Sequence, residues 1–243
     1  MKLGIIGAMD VEIEILKQHM SDCTEVRHSS MNFCMGILEG VPTVAVVCGV
    51  GKVNAAVCTQ ILCDWFHITH LVNTGIAGSL CVGQEIGDLV VSWDAMHHDF
   101  DCTAFGYPIG MVPHMPMAYP ADSILQHYAH KAAFRVYPGH ARIGRIASGD
   151  QFISDVESKY NVLRRTGALC VEMEGAAIAQ TAYMNRVPFV IIRSISDKAD
   201  DSADLDYDTF EKEAAERSAQ VVLEMAKALY SNYIRKEEYN EVT

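Results

Sequence analysis

Basic charge is scarce in this chain. Its 243 residues include 19 lysines and arginines against 31 aspartates and glutamates, which gives a formal net charge of −12 at pH 7. Proteins that bind nucleic acid usually present a basic patch, and anionic lipid surfaces attract basic segments. The charge balance therefore disfavours both nucleic acid and membrane surfaces as partners.

Long apolar runs and paired cysteines are also lacking. The run from Leu3 to Ala8 is too short for the apolar part of a secretion signal and too short to span a bilayer. The eight cysteines form no C-x-x-C pair, and in a chain of this length without an export signal we interpret them as reduced, mostly buried thiols. A cytoplasmic protein is expected.

Several motifs of known chemistry are missing. The chain has no G-x-S-x-G elbow of a serine hydrolase and no H-E-x-x-H of a zinc protease. The glycines at Gly4 and Gly7 do not follow G-x-G-x-x-G, which disfavours a nicotinamide cofactor, and Gly49 to Lys52 lacks the spacing of a phosphate-binding P-loop. We expect no cofactor.

The cluster formed by His97, His98, Asp99 and Asp101 invites a metal interpretation. Its spacing matches no standard metal motif, and a hydrogen-bonded turn at a strand end is the favoured interpretation. The aspartates from 200 to 208 lack the spacing of a calcium loop and are typical of a solvated loop with a helix cap. We expect no metal site.

Strand and helix patterns alternate along the chain, without a visible repeat or linker. We predict an α/β fold, a three-layer sandwich whose central mixed β-sheet is flanked by helices, with one domain over 1–232 and a charged tail over 233–243. Strands are predicted at 3–7, 31–38, 43–48, 70–73, 87–92, 141–147 and 189–192, and helices at 11–20, from 52, 122–134, from 174 and 210–229.

The stretch 171–197 carries the clearest sign of a site. It is predicted as strand, helix and strand, with Glu174 after the first strand and Arg193 and Asp197 at the end of the second. Ligands in open α/β sheets bind beyond the carboxyl ends of the strands, so we expect these three side chains to share a crevice. Carboxyl groups without a metal suit general acid–base chemistry on a polar small molecule.

Two further features each allow two interpretations. Glu12 lies in the first turn of a predicted helix with Asp10 as its N-cap, where the helix dipole alone favours an anion; the alternative is a functional carboxylate. The segment 102–120 holds four of the seven prolines beside aromatic and methionine side chains. Such an apolar loop meets a partner or covers a ligand, and oligomerisation is the simpler account.

Eight motifs, taken in order, resemble the methylthioadenosine/S-adenosylhomocysteine nucleosidases of the purine nucleoside phosphorylase-like family, and the resemblance covers almost the entire chain. Each motif alone is weak evidence, whereas eight in the same order are a strong match. The motifs span 4–9 together with Glu12, then 49–52, 73–78, 87–92, 103–107, 148–153, 171–174 and 193–197.

The resemblance implies hydrolysis of the N-glycosidic bond of 5'-methylthioadenosine and S-adenosylhomocysteine, to adenine and a thioribose, in methionine salvage. It implies that Asp197 is the general acid at adenine N7, and that Glu12 activates the water with help from Arg193. It also implies that Glu174 binds the ribose hydroxyls and that Phe152 stacks on adenine. The other implied substrate contacts are Met9, Val50, Ile76, Ala77, Gly78, Ile153, Glu172, Met173, Ser196, Ala199 and Tyr207.

The resemblance further implies a homodimer in which Cys102, Phe105 and Pro113 complete the partner's pocket. The alternatives are a phosphate-dependent phosphorylase, a nucleosidase for another adenosine derivative such as aminodeoxyfutalosine, and a binding protein without activity. Two residues depart from the family pattern. Ile76 stands where many members have a serine that orients the catalytic aspartate, and Tyr207 adds a hydroxyl where phenylalanine is common.

Overall fold

One mixed β-sheet forms the centre of the fold. A computed structural model describes the backbone of residues 1–241 and the side chains of 1–203 and 206–232. The strands in chain order are β1 (Leu3–Gly7), β2 (Met20–His28), β3 (Met31–Leu38), β4 (Val41–Val47), β5 (His70–Ser79), β6 (Leu89–His97), β7 (Tyr119–Pro120), β8 (Ala141–Ser148), β9 (Cys170–Glu172) and β10 (Phe189–Asp197).

The strand order is β10-β6-β8-β9-β5-β1-β4-β3-β2, with β7 paired to β6. Because β10 also pairs with β5, the strands β5, β9, β8, β6 and β10 close into a ring, and β1 to β4 extend from it as an open sheet. The pairs of β5 with β1 and β10 are parallel, whereas β6 runs antiparallel to β10. The prediction of an α/β fold with a mixed sheet is confirmed; the ring was not predicted.

Helices cover the sheet on two sides. They are α1 (Asp10–Gln18), α2 (Lys52–Asp64), α3 (Ser123–Val136), α4 (Val156–Thr166), α5 (Gly175–Asn185) and α6 (Ala203–Glu241), with a 3₁₀ turn at Thr103–Phe105. Successive residues of β1 point to opposite sides of the sheet. Ile5 packs in one apolar cluster with α1, α3 and α6, and Ile6 packs in another with α2 and α5. This alternation follows from the two-residue period of a strand.

The structure corrects the prediction for the first helix. Asp10 is the first helical residue and Met9 holds the N-cap position, whereas Asp10 was predicted as the cap. The helix ends at Gln18 because the chain enters β2 at Met20, a strand that the sequence analysis missed. Helix α4 was missed as well. Helix α6 begins at Ala203, so part of the predicted acidic loop is helical.

The sequence predicts one apolar stripe for the helix that begins at Lys52, formed by Val53, Val57, Ile61 and Trp65. In the structure Val53, Val57 and Trp65 are exposed, whereas Ile61 packs against the core. The buried face of this helix carries smaller residues, among them Ala55 and Cys58, which allow it to lie close to α5 and the sheet. No helix in the part of the chain that the structure describes is long and apolar enough to cross a membrane. The predicted tail, 233–243, lies outside the residues whose side chains are described.

Candidate active site

A crevice of about 540 Å³ opens where β1, β5, β9 and β10 end. It brings together thirteen of the residues singled out from the sequence: Met9, Glu12, Val50, Ile76, Ala77, Gly78, Phe152, Glu172, Met173, Glu174, Ser196, Asp197 and Tyr207. Ile153 lines a smaller hollow beside it. The sequence analysis missed Ala8, Val171 and Asp208, which also line the crevice.

Glu12 turns back from α1 towards the strand ends. Its Oε2 accepts hydrogen bonds from the backbone N–H groups of Ala8 at 2.6 Å and Met9 at 3.1 Å, and its Oε1 accepts one from Ile76 N–H at 3.1 Å. The carboxylate packs on Gly75 of β5, where a Cβ atom would lie 2.3 Å from Oε1. Backbone donors and a missing side chain therefore fix the carboxyl group of Glu12 at the crevice wall.

Asp197 ends β10 and packs on the same strand, β5. Its Oδ1 accepts a hydrogen bond from Ala199 N–H at 2.8 Å, and its Oδ2 accepts one from Ser196 Oγ at 2.8 Å. A Cβ atom at Gly78 would lie 2.7 Å from Oδ1. Ser196 and Ala199 thus supply the orientation that Ile76 cannot give, since Ile76 has no side-chain donor and packs against α6.

Glu174 precedes α5, and its Oε1 accepts a hydrogen bond from Gly51 N–H at 2.7 Å. Both oxygens of its neighbour Glu172 are engaged by protein donors. Gly175 N–H donates to them at 3.0 and 2.8 Å, and Ser148 Oγ and Arg193 Nη2 donate as well. Glu172 therefore holds the start of α5 in place at the crevice wall, so that Glu174 is left as the carboxyl group aimed at a ligand.

Arg193 lies behind the crevice and is almost completely buried. Its Nη2 donates to Asn73 Oδ1 at 2.5 Å and to Glu172, and its Nη1 donates to the carbonyl oxygen of Ile192 at 3.1 Å. Its Nε has no hydrogen-bond partner among the described residues. The guanidinium group stabilises the carboxylates around it through charge rather than by lining the cavity.

Burial raises the pKa of three carboxyl groups in the crevice. It raises the pKa of Glu12, although Arg193 and three backbone N–H groups oppose the shift. Burial also raises the pKa of Asp197, against the hydrogen bonds from Ser196 and Ala199. Burial, and then the charge of Glu172, raise the pKa of Glu174 to about 8. Carboxyl groups shifted in this way can hold and move protons near neutral pH.

A polar network ties two loops of the crevice together. Lys52 Nζ donates to Asp99 Oδ1 at 2.6 Å, Lys52 N–H donates to Asp150 Oδ1 at 2.8 Å, and Asp150 N–H donates to Asp99 Oδ2 at 2.9 Å. Asp99 was weighed as a metal ligand; it serves this network instead, and no three metal-ligating side chains are grouped within the described residues. The sequence analysis did not predict this network. Two of its residues, Lys52 and Asp150, lie in the motifs at 49–52 and 148–153.

The outer end of the crevice is aromatic. Phe152 and Tyr207 meet edge to face with ring centroids 5.7 Å apart, and the Tyr207 hydroxyl group donates to Glu211 Oε1 at 3.1 Å. Cys102, Phe105 and Pro113 are not among the residues that line the crevice of the single chain.

The chain and its fold belong to a known class. Residues 2–227 match the sequence model of the Phosphorylase superfamily, and the chain belongs to that superfamily. The 5'-methylthioadenosine/S-adenosylhomocysteine nucleosidase of Staphylococcus carnosus is 42% identical over 228 residues, 93% of this chain and 100% of the relative. The one of Geobacillus kaustophilus is 43% identical over 230 residues, 94% of this chain and 98% of the relative. Within the superfamily, the chain is a member of this nucleosidase family.

Solved structures agree with this assignment. The nucleosidase of Neisseria meningitidis in complex with methylthio-immucillin-A superposes with a TM-score of 0.91 at 40% identity, covering 93% of this chain and 99% of that chain. The futalosine hydrolase of Helicobacter pylori superposes with a TM-score of 0.89 at 32% identity, covering 93% of this chain and 97% of that chain. The fold therefore accommodates more than one nucleoside substrate.

Proposed function

We propose that the protein hydrolyses the N-glycosidic bond of 5'-methylthioadenosine and S-adenosylhomocysteine and releases adenine and the thioribose. The observation that carries the proposal is the pair Glu12 and Asp197. Both are buried, both are oriented by fixed donors, and both pack on glycines of β5. Two acids with raised pKa values at one strand end provide the acid and the base that such a hydrolysis needs.

Asp197 acts as the general acid. Adenine is a poor leaving group as an anion, so a proton must reach N7 as the bond to the sugar breaks. The raised pKa of Asp197 keeps this carboxyl group protonated at a pH where an exposed aspartate has lost its proton. Its hydrogen bonds to Ser196 and Ala199 hold the carboxyl group in one orientation. Ile153, on the neighbouring hollow, reads the adenine edge through its backbone, and Phe152 stacks on the base.

Glu12 acts as the general base. Three backbone N–H groups hold its carboxylate in one position, from which it accepts a proton from the attacking water. Arg193 provides a buried positive charge near Glu12, from behind the crevice, and so favours the charged form of the base. Proton transfer by a positioned side chain contributes roughly 10²–10⁴ in rate.

Glu174 binds the ribose hydroxyl groups, and Met173 lines the sugar face. The transition state of a glycosidic cleavage resembles an oxocarbenium ion, so the carboxylate of Glu12 also stabilises the positive charge that develops on the sugar. Met9, Val50 and Tyr207 surround the 5' substituent.

Hydrolysis is favoured over phosphorolysis by the charges of the crevice. A phosphate beside Glu12 would meet a like charge in a buried site, where the repulsion is several times stronger than in water. Arg193, whose guanidinium group is buried, is already paired with Glu172. A nucleosidase for another adenosine derivative, such as aminodeoxyfutalosine, is the second candidate, because the futalosine hydrolase of Helicobacter pylori has the same fold at 32% identity.

The test is adenine release from 5'-methylthioadenosine with and without phosphate, with identification of the sugar product. Release of free methylthioribose in phosphate-free buffer supports the proposal. Release only with phosphate, yielding a sugar phosphate, would make the protein a phosphorylase. Release from aminodeoxyfutalosine alone would select the second candidate.

We also propose a cytoplasmic homodimer that works in methionine salvage. Phe105 is 81% exposed and Val53 is 75% exposed in the single chain, and large apolar side chains of this kind mark a surface that a partner covers. Cys102, Phe105 and Pro113 lie on one loop that reaches the partner's crevice and completes its apolar end. Sedimentation at micromolar concentration tests the dimer; a monomer that is fully active would contradict it.

A further inference from the structure

The segment that follows Asp197 is anchored to the body of the protein by two lysines. Lys159, on α4, donates from Nζ to the carbonyl oxygen of Lys198 at 2.5 Å and lies 3.6 Å from Asp200 Oδ2. Lys198 donates from its own Nζ to the carbonyl oxygen of Gln84 and to Glu85 Oε2, the latter at 3.0 Å. The two neighbours of Ala199 in the chain, Lys198 and Asp200, are therefore each held by contacts with residues outside the segment.

Ala199 has a strained backbone. Its φ is +50°, a left-handed conformation that a residue with a side chain rarely adopts, and it is completely buried. Such a conformation persists only where the surroundings impose it. In this conformation the Ala199 N–H group donates to Asp197 Oδ1 at 2.8 Å. The anchors on either side of Ala199 thus hold a hydrogen bond to the acid.

We propose that Lys159 is a positioning residue for the general acid. It acts through the carbonyl oxygen of Lys198 and the carboxylate of Asp200, and it keeps the Ala199 N–H group aimed at Asp197. Ile76 makes this support necessary, because an isoleucine donates no hydrogen bond to the aspartate. The inference rests on the proposed hydrolysis, and it assigns a role in the reaction to a helix that does not line the crevice.

The geometry separates this role from general support of the fold. Among the residues whose side chains are described, the Nζ atom of Lys159 contacts Lys198 and Asp200, both in the segment after Asp197. Its side chain is largely buried, with 16% of its surface exposed. Glu12 and Glu174 receive their hydrogen bonds from 8–9, 76 and 51, far from Lys159 in the chain. Loss of Lys159 should therefore weaken proton donation by Asp197. Substrate binding and the activation of water by Glu12 should be unchanged.

The first experiment compares Lys159→Met with Lys159→Arg on 5'-methylthioadenosine. We expect Lys159→Met to lower kcat about tenfold to a hundredfold with little change in KM, since small misplacements of a reacting group have effects of that order. Lys159→Arg keeps a cationic donor and should retain most of kcat. Lys227→Met, which removes an exposed lysine paired with Glu224 at 2.9 Å on α6, is the matched control and should behave as the wild type.

A second substrate tests whether Lys159 acts through the acid. The 4-nitrophenyl 5-methylthioriboside releases 4-nitrophenolate, a stable anion that needs no proton from Asp197. Lys159→Met should hydrolyse it at the wild-type rate while its hydrolysis of 5'-methylthioadenosine is slow. The inference would be overturned if Lys159→Met hydrolysed both substrates equally slowly, or if it hydrolysed both at the wild-type rate.

Two controls keep the result interpretable. Thermal unfolding shows whether Lys159→Met is folded; if it is not, Lys198→Met releases the other anchor of the segment and should give the same selective loss of kcat. If Lys198→Met shows no selective loss of kcat, this result also contradicts the inference. If the wild-type protein releases no adenine at all, the proposed function fails, and this failure is distinct from equal activity of the variant and the wild type.

Discussion

The N–H group of Gly51 donates to Glu174 Oε1 at 2.7 Å and so joins two motifs that lie 123 positions apart. The carboxyl group that receives this bond is buried beside Glu172, and its pKa is raised to about 8. A backbone donor stabilises the charged form of Glu174, but burial and the neighbouring charge outweigh it. Folding therefore places an acid in the crevice that takes up a proton below about pH 8.

The raised pKa of Glu174 makes stability depend on pH. Between pH 4.5 and about 8, Glu174 is protonated in the folded protein and has lost its proton in the unfolded chain. The free energy of unfolding therefore falls as pH rises through this range. Glu174→Gln, which keeps the acceptor for Gly51, should reduce this fall by about 1.4 kcal/mol for each unit of the pKa difference. Urea unfolding at several pH values measures it, with the exposed Glu14→Gln as control. Equal slopes for Glu174→Gln and the wild type would contradict the raised pKa.

The Lys52–Asp99–Asp150 network should affect substrate binding more than turnover. In Asp99→Asn an amide NH₂ group replaces one acceptor and faces either the Lys52 ammonium or the Asp150 N–H group. The two loops that carry Val50 and Phe152 are then less firmly joined, although the hydrogen bond from Lys52 N–H to Asp150 Oδ1 remains. We expect KM for 5'-methylthioadenosine to rise about tenfold or more, since a hydrogen bond to a charged group contributes about 1.5–3 kcal/mol. Steady-state kinetics checks this.

Asp94→Asn is the matched control for Asp99→Asn. Asp94 is partly buried and pairs with Arg145 Nη2 at 2.6 Å, but neither residue lines the crevice. This variant should lower the melting temperature and leave KM unchanged. An equal rise of KM in both variants would mean that any loss of an ion pair in this region loosens the crevice, and the network would then have no special part in binding.

Much of the fold could be predicted because its signals are local. The alternation along β1 places Ile5 and Ile6 on opposite sides of the sheet, as the two-residue period requires. The crevice could be predicted at the strand ends for the same reason. Glu174 and Asp197 follow predicted strands directly, and the strand ends meet in the folded protein.

The features that were missed depend on contacts between distant parts of the chain. Pairing of β10 with β5 closes the ring, and no local pattern specifies it. Helix α2 has two faces that could be buried, and the sequence analysis grouped the larger residues Val53, Val57, Ile61 and Trp65 as its stripe. Tertiary packing selects the face with Ala55 instead, because a small side chain lets the helix approach its neighbours. The support of Asp197 by Lys159 is invisible in the sequence for the same reason.

The proposed dimer predicts that a charge at an exposed apolar position changes assembly and activity together. Phe105→Asp should shift the protein towards monomers and raise KM, because the loop would no longer complete the partner's crevice. Phe134→Asp on α3 is the control, since Phe134 is also exposed but lies outside this loop. Sedimentation velocity and kinetics at matched concentrations measure both effects. A monomeric Phe105→Asp variant with the wild-type KM would contradict the prediction, because the crevice would then not need the partner's loop.

Asp197→Asn gives the sharpest test of the acid. The amide cannot donate a proton to adenine N7, so kcat should fall by at least roughly 10²–10⁴, the usual contribution of a positioned acid. The fold should persist, because removal of a buried carboxyl group whose pKa burial has raised relieves a cost of desolvation. In the wild type Asp197 must be protonated, so kcat should remain high above the usual titration range of an aspartate and fall as pH rises through the raised pKa of Asp197. At low pH kcat should fall because Glu12, the base, takes up a proton. Substantial turnover by a folded Asp197→Asn variant would transfer the proton donation to another group, with Glu174 as the next candidate, since its pKa of about 8 also keeps it protonated at neutral pH.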